Sequence, residues 1–118
     1  MSTGTYLEWV IENTKTVWWH DSADPAELRL GLERGAVGVT TNPFLSAVTL
    51  ARSRAAWTDA IEAVRARNLG GAEKAEELLR HIVVHAAALY QPHYERSGGR
   101  MGYVCAQVNP SRAGTAMR

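Results

Sequence analysis

Apolar and polar positions along this chain switch between a helical and a strand period, and the switches outline its elements. Leu7, Val10 and Ile11 recur at helical spacing behind Thr5-x-x-Glu8, a capping-box pattern, which predicts a short helix over 5–13. Thr16-Val17-Trp18-Trp19-His20 is β-branched and aromatic and reads as a strand. Asp21-Ser22-Ala23 leaves that strand. Asp24-Pro25-Ala26-Glu27 then starts a second helix, with proline at its first position. Leu28 and Leu32 form its buried stripe, and Gly35 ends it. Val37-Gly38-Val39-Thr40 is the second strand. The helix between the two strands has the length of a crossover, so the strands should run parallel.

Asn42-Pro43 opens the next helix, which should reach about Arg52. Another is expected over Ala55 to Arg67, with Trp57, Ile61 and Val64 on one face. Asn68-Leu69-Gly70-Gly71 is a turn. Ala72 to about Tyr90 is a long helix with a broad apolar face of Leu78, Leu79, Ile82, Val83 and Ala86. Pro92 should loosen or end it, and Ser97-Gly98-Gly99 is a loop. Tyr103-Val104-Cys105-Ala106-Gln107-Val108 is the third strand. No repeat, low-complexity stretch or internal linker interrupts residues 1–118. Alternation of this kind predicts an α/β fold, a parallel sheet with helices against it.

Composition narrows the partners. A formal net charge of +1, with 11 arginines and 2 lysines scattered among the acids, gives no footprint for nucleic acid. A single cysteine, Cys105, excludes an internal disulfide and fits a reducing cytoplasm. The start lacks the pattern of a signal peptide, and no apolar run approaches the ~18 residues of a membrane span. The expectation is a soluble, cytoplasmic chain with neither membrane nor nucleic-acid partner.

Each strand ends in polar residues: Asp21, then Thr41 and Asn42, then Gln107 and Asn109. Parallel strands place such ends side by side, where a carboxylate, a hydroxyl and amides would converge. That set suits proton transfer and the orientation of a polyhydroxylated substrate. The same residue types also cap helices and form turns, so spacing alone identifies no reaction.

Trp19-His20-Asp21-Ser22-Ala23-Asp24, Gly38-Val39-Thr40-Thr41-Asn42-Pro43-Phe44-Leu45 and Ala106-Gln107-Val108-Asn109-Pro110 resemble the first three strand ends of the transaldolase family. The middle motif is the most specific, and the resemblance spans roughly residues 15–113. It implies part of a (β/α)8 TIM barrel: the first three parallel strands with their helices, not closed. It also implies Schiff-base transfer of a dihydroxyacetone unit between sugar phosphates, as in the pentose phosphate pathway, with no cofactor and no metal. Asp21 would be the proton-transferring carboxylate. Asn42 would hydrogen-bond the substrate or imine, with Thr41 beside it. Gln107 stands where transaldolases carry a glutamate that works through a water, and the fructose-6-phosphate aldolase group has glutamine there. Transferase and lyase therefore both stay open.

A Schiff base needs an unprotonated lysine in a dry pocket. Lys15 precedes the first strand, at the opposite end from Asp21, and Lys74 starts a polar turn that should be solvated. In the family the lysine comes from strand four. The expectation is an N-terminal portion of a barrel, inactive alone, with open strand edges through which it could bind a partner as a non-catalytic remnant.

The other candidates read as structural. His81 and His85 are four apart on one helix but lack a third ligand, which favours a helix-surface role over metal. His20 should face away from Asp21. Trp18 and Trp19 should face opposite sides of their strand. Trp9 and Trp57 read as helix packing, Cys105 as a buried small side chain, and Arg112 as solvated.

Overall fold

A computed structural model of the chain describes residues 5–108 and 110. Helix α1 (Tyr6–Asn13) starts at Thr5, whose hydroxyl and backbone form the reciprocal capping box with Glu8. Strand β1 (Trp19–Asp21) leads into α2 (Pro25–Glu33), which is capped by Asp24. The chain reverses at Gly35, whose φ of 88° suits glycine. Strand β2 (Gly38–Thr40) hands over to α3 (Pro43–Arg52), capped by Asn42. A single 3-10 turn (Arg54–Trp57), α4 (Thr58–Arg65) and the long α5 (Gly71–Arg96) bring the chain to β3 (Tyr103–Cys105).

The three strands form one parallel sheet in the order β1-β2-β3. Trp19, Gly38 and Tyr103 lie at one level of the ladder, His20, Val39 and Val104 at the next, and Asp21, Thr40 and Cys105 at the last. Side chains alternate across a strand, so the middle level faces opposite to the other two. Val39 is fully buried and packs with Leu28, Ala36, Ala86 and Tyr90, with Trp18 and Val104 at the margin. A second cluster, Ala23, Trp57 and Ile82, joins the end of β1 to the helices after α3. Helices α2 and α5 therefore cover one face. The other carries Trp19, Asp21, Tyr103 and Cys105, all exposed, and is covered by nothing among the described residues. This is an α/β sheet of parallel strands that is not closed.

Several expectations shift. Strand β1 covers Trp19–Asp21 rather than 16–20, and β3 stops at Cys105, because only these stretches have β2 alongside. The helix expected over 55–67 divides at Trp57, whose indole Nε1 donates to Thr49 Oγ1 at 3.1 Å. Pro92 does not end α5. Its ring is on the exposed side, and the helix is fixed on both sides of it. Before it, the Tyr90 hydroxyl donates to the Leu28 carbonyl at 3.2 Å; after it, Tyr94 backs directly onto Gly102. Tertiary contact here outweighs the helix-breaking tendency of proline. Burial pushes the Tyr90 hydroxyl up to about 12.

Cys105 is exposed, not buried, because its level of β3 faces the uncovered side. Trp9 is 56% exposed, since α1 buries no residue fully. His81 and His85 are half-buried rather than on the surface. The His85 ring stands edge-on to Trp57 at 5.2 Å, and burial together with Arg29 holds its pKa below the usual value. Lys74 is half-buried as well. Trp18 and Trp19 do part to opposite faces, and His20 faces α2, against Gly31. Asn109, Arg112 and the tail lie outside the described residues.

Strand β3 is held to α5 by close backbone approach. Gly102 has φ 92° and donates its N–H to the Val37 carbonyl at 2.6 Å. A β-carbon there would lie 2.5 Å from the Tyr94 nitrogen and 2.9 Å from the Tyr90 carbonyl oxygen. Gly102→Ala should therefore cost about 3 kcal/mol of stability through strain and displacement of β3. Urea unfolding measures it as a lower midpoint; an unchanged midpoint would mean that β3 shifts away without loss.

Candidate functional site

The uncovered face ends, at the C-terminal edge of the sheet, in Asp21 and Thr40. The Thr40 hydroxyl donates to Asp21 Oδ1 at 2.8 Å. This pairing follows from register: Asp21 and Thr40 are ladder partners, and each is two residues past one that shares its face. The bond engages Oδ1 and ties the carboxylate to the neighbouring strand. Asp21 is exposed, so it is accessible from the uncovered side.

Thr41 is turned inward. It is buried, and its N–H and hydroxyl both donate to the Cys105 carbonyl, each at 3.0 Å. That double bond clamps the end of β2 to β3. Asn42 caps α3 by accepting from the Leu45 N–H at 2.8 Å through Oδ1, and its side-chain NH2 stands beside the strand end with no acceptor among the described residues. Gln107 lies two residues past Cys105 and is exposed. The expected residues thus share one end of the sheet. Thr41 is joined to β3 and Asp21, through Thr40, to β2, while among the described residues no hydrogen bond connects Asp21 to Asn42 or Gln107.

Behind this edge lies a polar network centred on Asp24. Its Oδ2 accepts from the Ala26 and Glu27 N–H groups, and its Oδ1 accepts from Thr49 at 3.3 Å and Ser53 at 2.6 Å. Burial pushes the Asp24 carboxyl up. The bonds from Ser53, Glu27, Thr49 and Ala26 together outweigh it and hold the group below the usual carboxylate value. Ser22, itself buried, donates to Glu27 and accepts from the Asp24 N–H. A cavity of about 190 Å³ opens beside these groups between α2 and α3, lined in part by Ser22, Asp24, Glu27, Thr49, Arg52 and Ser53. It does not include Asp21, Asn42 or Gln107, and its buried hydroxyls already have partners.

Thr40 shares with Asp21 the face opposite Val39, a position readable from strand alternation. Ser22, Thr49 and Ser53 act through contacts that depend on how separate segments pack, which no local pattern announces. Among the described residues no three His, Cys, Asp or Glu side chains are grouped to hold a metal, and no helix is long and apolar enough to cross a membrane.

A carboxylate at the C-terminal end of one parallel strand, beside a Thr-Thr-Asn-Pro turn at the end of the next, is the geometry on which a comparison can be judged. The sequence profile of the transaldolase/fructose-6-phosphate aldolase family matches residues 18–117. The chain belongs to the transaldolase/fructose-6-phosphate aldolase family. No curated protein matches it. Membership assigns the chain to a family of carbohydrate metabolism, and the matched span contains all three strands of the sheet.

In this family member Asp24 caps α2 three residues after Asp21 and ties that turn to Thr49 and Ser53. Asp24→Ala should cost about 2 kcal/mol at neutral pH, from the lost cap and the two stranded hydroxyls. Because the carboxyl titrates below its unfolded value, its contribution is present above that value of 3.8. It is lost as the pH falls through the lower folded value. The gap between wild type and Asp24→Ala in chemical denaturation should narrow at acid pH; a constant gap would show that the charge contributes nothing.

Proposed function

We propose that this chain carries part of a transaldolase-type site: proton transfer and substrate orientation in carbon–carbon bond chemistry of sugar phosphates, in the cytoplasm. The reading is supported most by the Asp21 carboxylate, held by Thr40 at the strand end and reachable from the uncovered face. Asp21 is the proton-transferring group. The side-chain NH2 of Asn42 contacts a substrate hydroxyl or the imine nitrogen. Gln107 has no proton to exchange, but its amide can fix a water by accepting and donating hydrogen bonds. Thr41 acts beside them as the clamp that sets the height of Asn42.

The nucleophile is not supplied by these residues. Schiff-base formation needs a neutral amine in a water-excluded pocket. Lys15 enters β1 from the end opposite Asp21. Lys74 stands eight positions before Ile82 on α5, about 12 Å of helix rise beyond the cluster that contains Ala23. The chain alone therefore binds no sugar phosphate covalently and does not turn over. Transaldolase-type transfer of a dihydroxyacetone unit is the leading reaction for the assembled site. Gln107 favours the alternative, a lyase of the fructose-6-phosphate aldolase type, which would release its aldehyde product without an acceptor. The uncovered sheet favours a further reading, a non-catalytic chain that binds a partner.

Borohydride reduction in the presence of fructose 6-phosphate should leave the intact mass of the chain unchanged. A stable adduct on Lys15 or Lys74 would overturn the assignment.

A further inference from the structure

We propose that His85 is a proton-operated latch between α5 and the 3-10 turn. Neutral, it holds Trp57 in place; protonated, it lets Trp57 go and loosens the bond of Thr49 to Asp24. The proposal does not rest on the catalytic reading of Asp21, and none of its residues belongs to the sheet.

His85 is half-buried on α5, and its Nε2 is buried with no hydrogen-bond partner among the described residues. Its ring stands edge-on to Trp57, with the ring centroids 5.2 Å apart. The Trp57 indole is buried and donates to Thr49, and Thr49 donates to Asp24. A chain of side chains thus runs from the middle of α5 to the start of α2. His20 and His93 also bury an unpartnered Nε2, but His85 is the one whose ring meets Trp57.

A neutral imidazole can leave one nitrogen without a proton, whereas an imidazolium carries a proton on both. Protonation therefore places a buried N–H and a positive charge where no acceptor stands. The neighbours add to that cost. Burial first, and then the Arg29 guanidinium of α2, hold the His85 pKa below its usual value. His81, one turn earlier on α5, brings no negative charge. On α4, Glu62 pairs with Arg65, and Asp59 is exposed and does not reach Nε2. On α2, Glu33 is exposed and does not reach it either, while Asp24 and Glu27 are engaged by donors of their own. The attraction of an imidazolium for an indole opposes release, but it leaves Nε2 without an acceptor and Arg29 in place.

What yields is the turn rather than the long helix. Helix α5 has 26 residues, whereas the 3-10 turn has 4, and neither that turn nor α4 begins with a side-chain cap. Trp57 is their anchor, through its bond to Thr49 and its packing with Ala23 and Ile82. Once Trp57 moves, Thr49 loses the indole N–H that polarises its hydroxyl towards Asp24.

The sign follows from the lowered pKa. His85 binds a proton more weakly when latched than when released, so the latched state is fully populated above the unperturbed value of 6.5 and is lost as the pH falls below it. One proton sets the slope: the ratio of latched to released forms falls by up to about tenfold per pH unit, until the latched form itself takes up the proton.

NMR of the full chain reads this at the Trp57 indole proton. Its protection from hydrogen exchange, corrected for the intrinsic rate, should fall about tenfold or more between about pH 7.5 and about pH 5. The protection of the Val39 amide in β2 should hold over the same range. His85→Gln, which does not titrate there, should make the indole protection independent of pH. His85→Phe, which keeps an aromatic edge against Trp57, should do the same and covers the case in which glutamine unsettles the packing. His81→Gln should leave the wild-type dependence intact. Indole protection that stays constant or rises in acid would overturn the proposal. So would a dependence that persists in both His85 variants, or loss of Val39 protection in parallel, which marks global unfolding.

Discussion

The hydrogen bonds gathered on the Asp24 carboxylate hold together what the rest of the structure needs. Asp24 caps α2 through one oxygen and receives Thr49 and Ser53, from α3 and the residue after it, through the other. Thr49 in turn accepts from the Trp57 indole, and Trp57 shares a cluster with Ala23 and with Ile82 of α5. One side chain thus ties the exit from β1, the end of α3 and the middle of α5. Such a hub is necessary because β1 and β2 contribute only three residues each to the ladder. Strands this short cannot fix their own ends. The carboxylate also resolves a local conflict, since it is partly desolvated yet remains the favoured ionised form because every lone-pair direction named here meets a donor.

The strand period then distributes the side chains so that structure and chemistry do not compete. His20, Val39 and Val104 go to the helices and make the core, whereas Asp21, Thr40 and Cys105 go to the other side. The core is built on one face, and Asp21, Thr40 and Cys105 are displayed on the other. The Thr-Thr-Asn sequence crosses this boundary one residue at a time. Thr40 holds Asp21 on the open side, Thr41 bonds the backbone of β3 in the interior, and Asn42 caps the next helix. Each residue of the turn has a distinct structural duty, which is why a polar run persists where the chain passes from sheet to helix.

Much of the fold was legible in local pattern. The caps at Thr5, Asp24 and Asn42, the prolines behind the last two, and Gly35 with φ 88° all lie where the sequence places them, because each is satisfied within a few residues. What local pattern misjudged depends on distant neighbours. Pro92 stays helical because Tyr90 and Tyr94 are held from α2 and from the start of β3. Strand lengths are set by where β2 lies alongside, which composition does not encode. Cys105 is exposed because nothing among the described residues lies over its face, although a cysteine in a β-branched stretch reads as core. At the candidate site the polar strand ends are legible in the sequence, whereas the bond between Thr40 and Asp21 follows from strand register, which local pattern does not encode. Resemblance directed attention to the motif's asparagine, while the register with β1 singles out its first threonine.

The exposure of Asp21 and the exposure of Trp19 and Tyr103 are one physical fact, since all three lie on the same uncovered side of the sheet among the described residues. A neutral amine nucleophile requires exclusion of water, and Asp21 can act on a bound intermediate only where bulk solvent does not compete for its oxygens. A parallel sheet with Val17 and Trp19 in solvent requires exclusion of water as well. Any covering that meets the second need also decides what stands in front of Asp21: a layer packed directly on Trp19 and Tyr103 would fill the space before the carboxylate, whereas one that curves away from the strand ends would exclude bulk water and keep that space open.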